Sequence, residues 1–264
     1  AILSRVAAEY DGPHQLTVRR NEVNLGIAAH YNLLVGQTTS DLLVTAAGDD
    51  ISEPERVALL TTAWEQSSRR ADLISSYVTG MSRDGTVQGI IETDDLAHYR
   101  GVDDWIQRRP YVIGAGHAFT HRMMRRFGPF HSAIPYEDQI MTFRAIASGG
   151  AVTVRAPLVR YRQGGHSAGK RFQDPAEQTA WRRRRLDQEI SERTQLIEDA
   201  GIAGCGPEIA EVLASLGSRQ LYMQQLYAAD SAAERWNALR TAKHVPAVWR
   251  IRKWLQACYP RLHI

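Results

Sequence analysis

The sequence predicts an α/β protein whose sheet is dominated by parallel strands, followed by a helical extension. Three observations carry this. Short apolar runs bounded by turn residues alternate with stretches of helical spacing up to about residue 160, the rhythm of α/β sheets. The clearest apolar run, LLVTAA (42–47), is bounded by turn signals, which suits a strand buried in a parallel sheet. From residue 175 to 243 the spacing is helical throughout.

In chain order, residues 2–10 read as a helix end, Asp11-Gly12-Pro13 as a turn and 15–18 as a short strand. Asn24 and Gly26 break the chain, after which Ile27, Ala28, Tyr31, Leu34 and Val35 recur at helical spacing up to Gly36. Leu42 opens the apolar strand, and a helix follows Pro54, with Leu59, Leu60, Ala63 and Trp64 inward. Residues 72–79 are the next strand, 81–89 a polar turn region, and 94–105 a loop with a short helix. Small residues in 111–120 suit extended chain. Residues 121–127 are helical up to Gly128-Pro129, and 139–147 form a helix closed by Gly149-Gly150. Strand 151–155 and an extended piece at 157–162 lead to a loop at 164–172, which closes a first domain of residues 1–172. The extension occupies 173–264, with one helix patterned by Leu186, Ile190, Leu196 and Ile197 and another by Ile209, Val212, Leu213 and Leu216.

Composition bounds the function. At 264 residues, with 44% hydrophobic and 23% charged side chains, the chain is an ordinary globular protein. It holds no apolar run near the ~20 residues that span a bilayer. The opening AILSRVAAEY has no signal-peptide pattern and begins with Ala, so a missing N-terminal piece is expected. Two widely spaced cysteines, Cys205 and Cys258, point to a reducing, cytoplasmic setting. The net charge of +3 is uneven: seven of the 32 basic residues follow Glu234, where no acidic residue occurs, leaving 25 basic against 29 acidic before it. The Arg182–Arg185 run lies in a stretch (176–199) with five basic and six acidic side chains, so it reads as a solvated helix face and nucleic acid is not expected as a partner. In the tail (246–264), Val248, Ile251, Leu255 and Cys258 share a helical face, with Arg250, Arg252 and Lys253 mostly opposite and Trp249, Trp254 and Tyr259 nearby. This pattern suits peripheral contact with the inner face of an anionic membrane, and equally a terminal helix docked on its own domain.

The chemistry centres on SDLLVTAAGDDISE (40–53). After Gly48, Asp49 and Asp50 stand just past the C-terminal end of the strand, where open α/β sheets bind ligands. Adjacent carboxylates there repel each other and are costly to desolvate unless a cation or hydrogen-bond donors satisfy them. The same residues also suit a turn that caps the next helix, and the segment alone leaves both readings open. Glu137-Asp138 opens a second helix, with capping again the plain alternative.

Three segments in order resemble the family 2 glycosyltransferases, inverting enzymes of the Rossmann-like GT-A fold. NEVNLGIAAHYNLLVGQTTSDLLVTAAGDDISEPERVALL (21–60) resembles that family's Asn-x-Gly helix and DXD-type metal motif. GAGHAFTHRMMRRFGPFHSAIPYEDQIMTFRAIASGG (114–150) resembles its acceptor side, and PLVRYRQGGHSAG (157–169) its closing strand and loop. The chain departs from the family in lacking two opening strands, which hold the nucleotide's base and ribose, and in carrying Ala47 where a first carboxylate is usual. Some members share the Gly-Asp-Asp form.

The resemblance implies metal-assisted transfer of a sugar from a nucleotide-diphosphate donor to a sugar, lipid-linked or protein acceptor, as in cell-envelope polysaccharide assembly. Mg²⁺ or Mn²⁺ would sit at Asp49 and Asp50, with His166 as a further ligand. Asp138 matches the base, supported by Glu137. Arg20, Asn24, Gly26 and Asn32 fall on the donor side with the two aspartates, and Gly114, Gly116 and His117 on the acceptor side. Turn chemistry, close packing and surface charge are the ordinary roles of these residues. Rival expectations are a truncated or degenerate domain acting as a non-catalytic binding module, and a nucleotidyltransferase on a similar sheet.

Overall fold

Side-chain alternation along the strands decides which helices cover which face of the sheet. The computed structural model describes residues 2–164 and 174–259. Its sheet comprises β1 (Leu42–Val44), β2 (Ile51–Ser52), β3 (Leu73–Met81), β4 (Val87–Ile91), β5 (Ala118–Thr120) and β6 (Ala151–Arg162). Their order is β1-β5-β3-β6-β2, with β4 paired to β3. The helices are α1 (Ile2–Glu9), α2 (Gly26–Gly36), α3 (Arg56–Gln66), α4 (Val102–Gln107), α5 (His121–Phe127), α6 (Asp138–Ile146), α7 (Pro175–Ala203), α8 (Gly206–Ala228), α9 (Ala232–Thr241) and α10 (Ala247–Cys258).

The fold is α/β with a mixed sheet and a helical C-terminal part. The expected parallel dominance is not found. Among the five strand pairings of the described residues, β3–β6 is parallel and the other four are antiparallel. The physical reason lies in what an apolar run reports. Leu43 packs with α2 and the main core, whereas Leu42 and Val44 pack with Leu60 and Trp64 of α3 on the opposite face. Cover on both faces explains the continuous run; the direction of the neighbouring strand leaves no mark in it. The same alternation puts Leu73, Phe119 and Ala151 on the α6 side and Ile74, Ala118 and Val152 on the α3 side. Burial of side chains as large as Leu60 and Trp64 contributes about 1.5–3 kcal/mol each, which fastens α3 to the sheet.

Direction still matters for the site. β5 is antiparallel to both β1 and β3, and β3 is parallel to β6. So β1, β3 and β6 run the same way, and the chain leaves β1 at the same edge where it enters β5. The short β2 pairs Ile51 with Arg160 and Ser52 with Val159, which pins the turn at residues 47–50 against the end of β6.

Several local expectations differ. Residues 15–18 form no strand; Leu16 and Val18 stay exposed and pair with no strand of the described sheet. The region 81–89, expected to be turn alone, closes a hairpin: β4 pairs antiparallel with β3 at the surface, its residues 87–90 all exposed. Strand 151–155 and the piece after it are one strand, β6. Its register shifts where Pro157 meets Tyr77, since proline has no N–H for the ladder.

The helical part is tied to the sheet layer. Asp174 caps α7 through the Ala176 N–H at 2.9 Å, and Gly204, left-handed at φ 81°, ends it. Leu196 and Ala200 of α7 and Ile209 and Leu213 of α8 belong to the same apolar core as Met141 and Phe143 of α6. Within that core Arg144 donates from Nε and Nη2 to Asp199 at 2.7 and 3.0 Å, both side chains fully buried. Tyr222, Leu226, Ala238, Ala242 and Val245 form a separate cluster that joins α8, α9 and α10.

Candidate active site

The turn after β1, the chain entering β5 and the N-terminus of α6 meet around a cleft of about 980 Å³. It lies beyond the C-terminal ends of β1 and β6, and α2 forms another wall through Ile27, His30 and Tyr31. Asp49, Asp50, Gly114, Glu137 and Asp138 all line it. Residues 88 positions apart, Asp50 and Asp138, are thus brought to one cavity.

Asp50 is held by the strand ends. The Arg162 N–H donates to its Oδ1 at 2.8 Å, while the Arg162 guanidinium donates to the carbonyl of Asp49 at 2.9 Å and that of Arg83 at 2.8 Å. Burial raises the Asp50 carboxyl, the neighbouring Asp49 adds to the rise, and Arg162 and Arg56 oppose it. Its Oδ2 is buried without a protein hydrogen-bond partner, which leaves it open to water or to a bound cation. Asp49 is exposed at the rim.

Arg56, the first residue of α3, is buried and was not legible as a site residue. Its Nη2 donates to the carbonyls of Thr45 and Ala115, both at 2.6 Å, and its Nη1 to Ser52 Oγ at 2.9 Å. It thereby fastens the strand exit to the chain entering β5.

At the other side of the cleft, Tyr31 Oη donates to Glu137 Oε1 at 2.8 Å. Glu137 is buried, and burial raises its carboxyl while the Tyr31 bond opposes the rise. Asp138 follows as the first residue of α6 and accepts the Gln139 N–H at 2.8 Å. Burial first, then the Glu137 charge, push its carboxyl up from 3.8 to about 6. A carboxylate with that pKa is ionised at neutral pH yet basic enough to accept a proton. Tyr31 is itself raised well above its ordinary value by burial and by Glu137. The spacing of Tyr31 with Val35 signalled an inward helix face; nothing in the sequence signalled the bond to Glu137.

Glycine at 114 makes room for this arrangement: a Cβ there would lie 2.9 Å from Glu137 Oε1, and the carboxylate would have to shift. Gly116 serves packing instead: a Cβ would meet the Ser76 carbonyl at 2.7 Å. His117 is buried and is not among the cleft-lining residues. Burial and Arg56 hold its imidazole down at about 4, so it is neutral at physiological pH.

The remaining sequence candidates stand outside the cleft wall. Asn24 Oδ1 accepts the Gly26 N–H at 2.9 Å, a turn closing onto α2, and Gly26 has φ 74°. Asn32 exchanges two 2.8 Å hydrogen bonds with the backbone of Phe130, tying α2 to the loop after α5. Arg20 is exposed on the segment before α2. His166 lies outside the described residues.

No protein-family model matches this chain, and no curated protein matches it. The site's own geometry therefore carries the functional reading. No helix of the described residues is long and apolar enough to cross a membrane.

The donor set suits a hard divalent cation in one specific way. Among the described residues no group of three or more His, Cys, Asp and Glu side chains is arranged to hold a metal. Mg²⁺, however, is commonly held by one or two carboxylates plus substrate phosphates and water. Asp49, together with Asp50 and its unpartnered Oδ2, fits that role.

Proposed function

We propose that this cleft transfers a sugar from a nucleotide-diphosphate donor to an acceptor hydroxyl with inversion, in the manner of the GT-A glycosyltransferases of family 2 that the sequence resembles. The observation that carries the reading is the convergence of the Asp49-Asp50 turn and the Glu137-Asp138 helix start on one cavity beyond the end of β1. Two carboxylate pairs with different surroundings divide acid–base work from anion and cation handling.

In this reading Asp138 takes the proton of the acceptor hydroxyl. The oxygen's electron pair forms the new bond at the anomeric carbon as the bond to the diphosphate breaks, and the nucleoside diphosphate departs with the bonding electrons. Glu137, fixed by Tyr31, keeps the Asp138 carboxyl basic through its charge. Asp49 and Asp50 face the diphosphate side, and Arg56 and Arg162 hold their turn in place. A divalent cation bound there would supply charge neutralisation to the leaving diphosphate.

The test is a panel of nucleotide sugars and simple glycosides with and without Mg²⁺ or Mn²⁺, following release of nucleoside diphosphate and donor binding by calorimetry. Asp138→Asn should retain donor binding and lose transfer, whereas Asp50→Ala should lose cation-dependent donor binding. Transfer surviving in Asp138→Asn would refute the base assignment. Donor binding without any turnover would favour a non-catalytic binding module, and absence of donor binding would remove the reading altogether.

A further inference from the structure

The C-terminal helix α10 is docked on one side and bare on the other. Trp249, Trp254 and Ala257 pack against the cluster that joins α8 and α9. The Arg250 guanidinium donates to the Ala242 carbonyl at 2.7 Å, and Lys253 donates to Gln256 at 3.1 Å while lying over the Trp249 ring. These two cations therefore belong to the docked side.

The opposite side carries Val248, Ile251, Leu255 and Tyr259, spaced three, four and four residues apart, which places them on one stripe. Val248 is 84% exposed, Ile251 48% and Tyr259 56%. Trp236 of α9, 52% exposed, stacks edge-on against Trp254 at 5.7 Å beside it. Arg252 flanks the stripe, and Arg240 and Lys243 are exposed on the preceding helix and turn.

We infer that the α9–α10 face seats this protein on a membrane surface containing anionic lipid. An apolar stripe with aromatics at its margin suits the headgroup boundary, and the flanking cations suit phosphate headgroups. Charge selects this occupant over a second copy of the chain. No acidic residue follows Glu234, so an isologous dimer through α10 would bring Arg252 and its neighbours against their own counterparts.

The experiment is co-sedimentation of the full chain with vesicles of phosphatidylcholine alone and of phosphatidylcholine mixed with phosphatidylglycerol, at low and high salt. The chain should bind the mixed vesicles only, and binding should weaken as salt rises. Joint reversal of Lys243 and Arg252 to Glu should weaken partitioning by more than tenfold, at about fivefold for each cation removed near the surface. Val248→Asp with Ile251→Asp should abolish binding and leave circular dichroism unchanged, because both side chains are exposed. Failure to bind mixed vesicles, equal binding to neutral ones, or binding unaffected by the α10 substitutions would each overturn the inference. So would self-association that Val248→Asp removes in the absence of vesicle binding. The assay needs no transfer activity, so its outcome is independent of the reading of the cleft.

Discussion

Replacing Asp138 by Asn should stabilise the fold at neutral pH while removing transfer. The carboxyl is raised from 3.8 to about 6 by burial and by Glu137. A folded-state pKa above the unfolded value means that ionisation opposes folding. The stability associated with this group is fully present below the unfolded pKa and is lost as pH rises through the folded one. At about 1.4 kcal/mol per unit of pKa difference, the ceiling is about 3 kcal/mol. Asp138 keeps part of its surface open to the cleft, so roughly 1–3 kcal/mol is expected. Asn is isosteric and can still accept the Gln139 N–H. Urea unfolding at about pH 7.5 should therefore show a more stable variant, and the difference should vanish near pH 3.5. A variant that is destabilised, or whose gain is the same at both pH values, would refute the premise that Asp138 is an unfavourable buried charge.

Three further outcomes follow from the packing around it. Tyr31→Phe removes the hydrogen bond that favours ionised Glu137; Glu137 should then hold its proton to higher pH, and the Asp138 titration, read by carboxyl NMR, should move down. An upward shift would contradict the coupling. Gly114→Ala places a Cβ 2.9 Å from Glu137 Oε1; displacing that carboxylate should lower transfer by about a hundredfold with the circular dichroism spectrum retained. Asp199→Asn leaves the buried Arg144 without its charge partner; this should cost about 3–5 kcal/mol, or roughly 10 °C in melting temperature. A loss under about 1 kcal/mol would show that Arg144 is compensated by its bond to the Gly128 carbonyl and by Phe130.

The helices were the most legible part of the fold, because their signals are local. Asn24 and Gly26 at the start of α2, Gly128 behind α5 and Gly149-Gly150 behind α6 act through neighbouring backbone. The strand at 42–44 was legible for the same reason. Its pairing was not: Val44 meets Ala118, more than seventy residues on, and an apolar run carries no record of that partner's direction. Residues 15–18 show the converse, a strand-like pattern that pairs with no strand of the described sheet.

By itself the sequence determined that an acidic turn follows an apolar strand, that a second carboxylate pair opens a helix, and that the tail gathers cations. These are properties of neighbours along the chain. Only the tertiary structure decided that both carboxylate pairs face one cleft, that Tyr31 and Arg56 serve it, and that Gly116 and Asn32 hold the framework instead. It also decided which side of α10 is bare. Each of these depends on contacts between segments far apart in the chain, where geometry is set by how covered faces stack and not by any local preference.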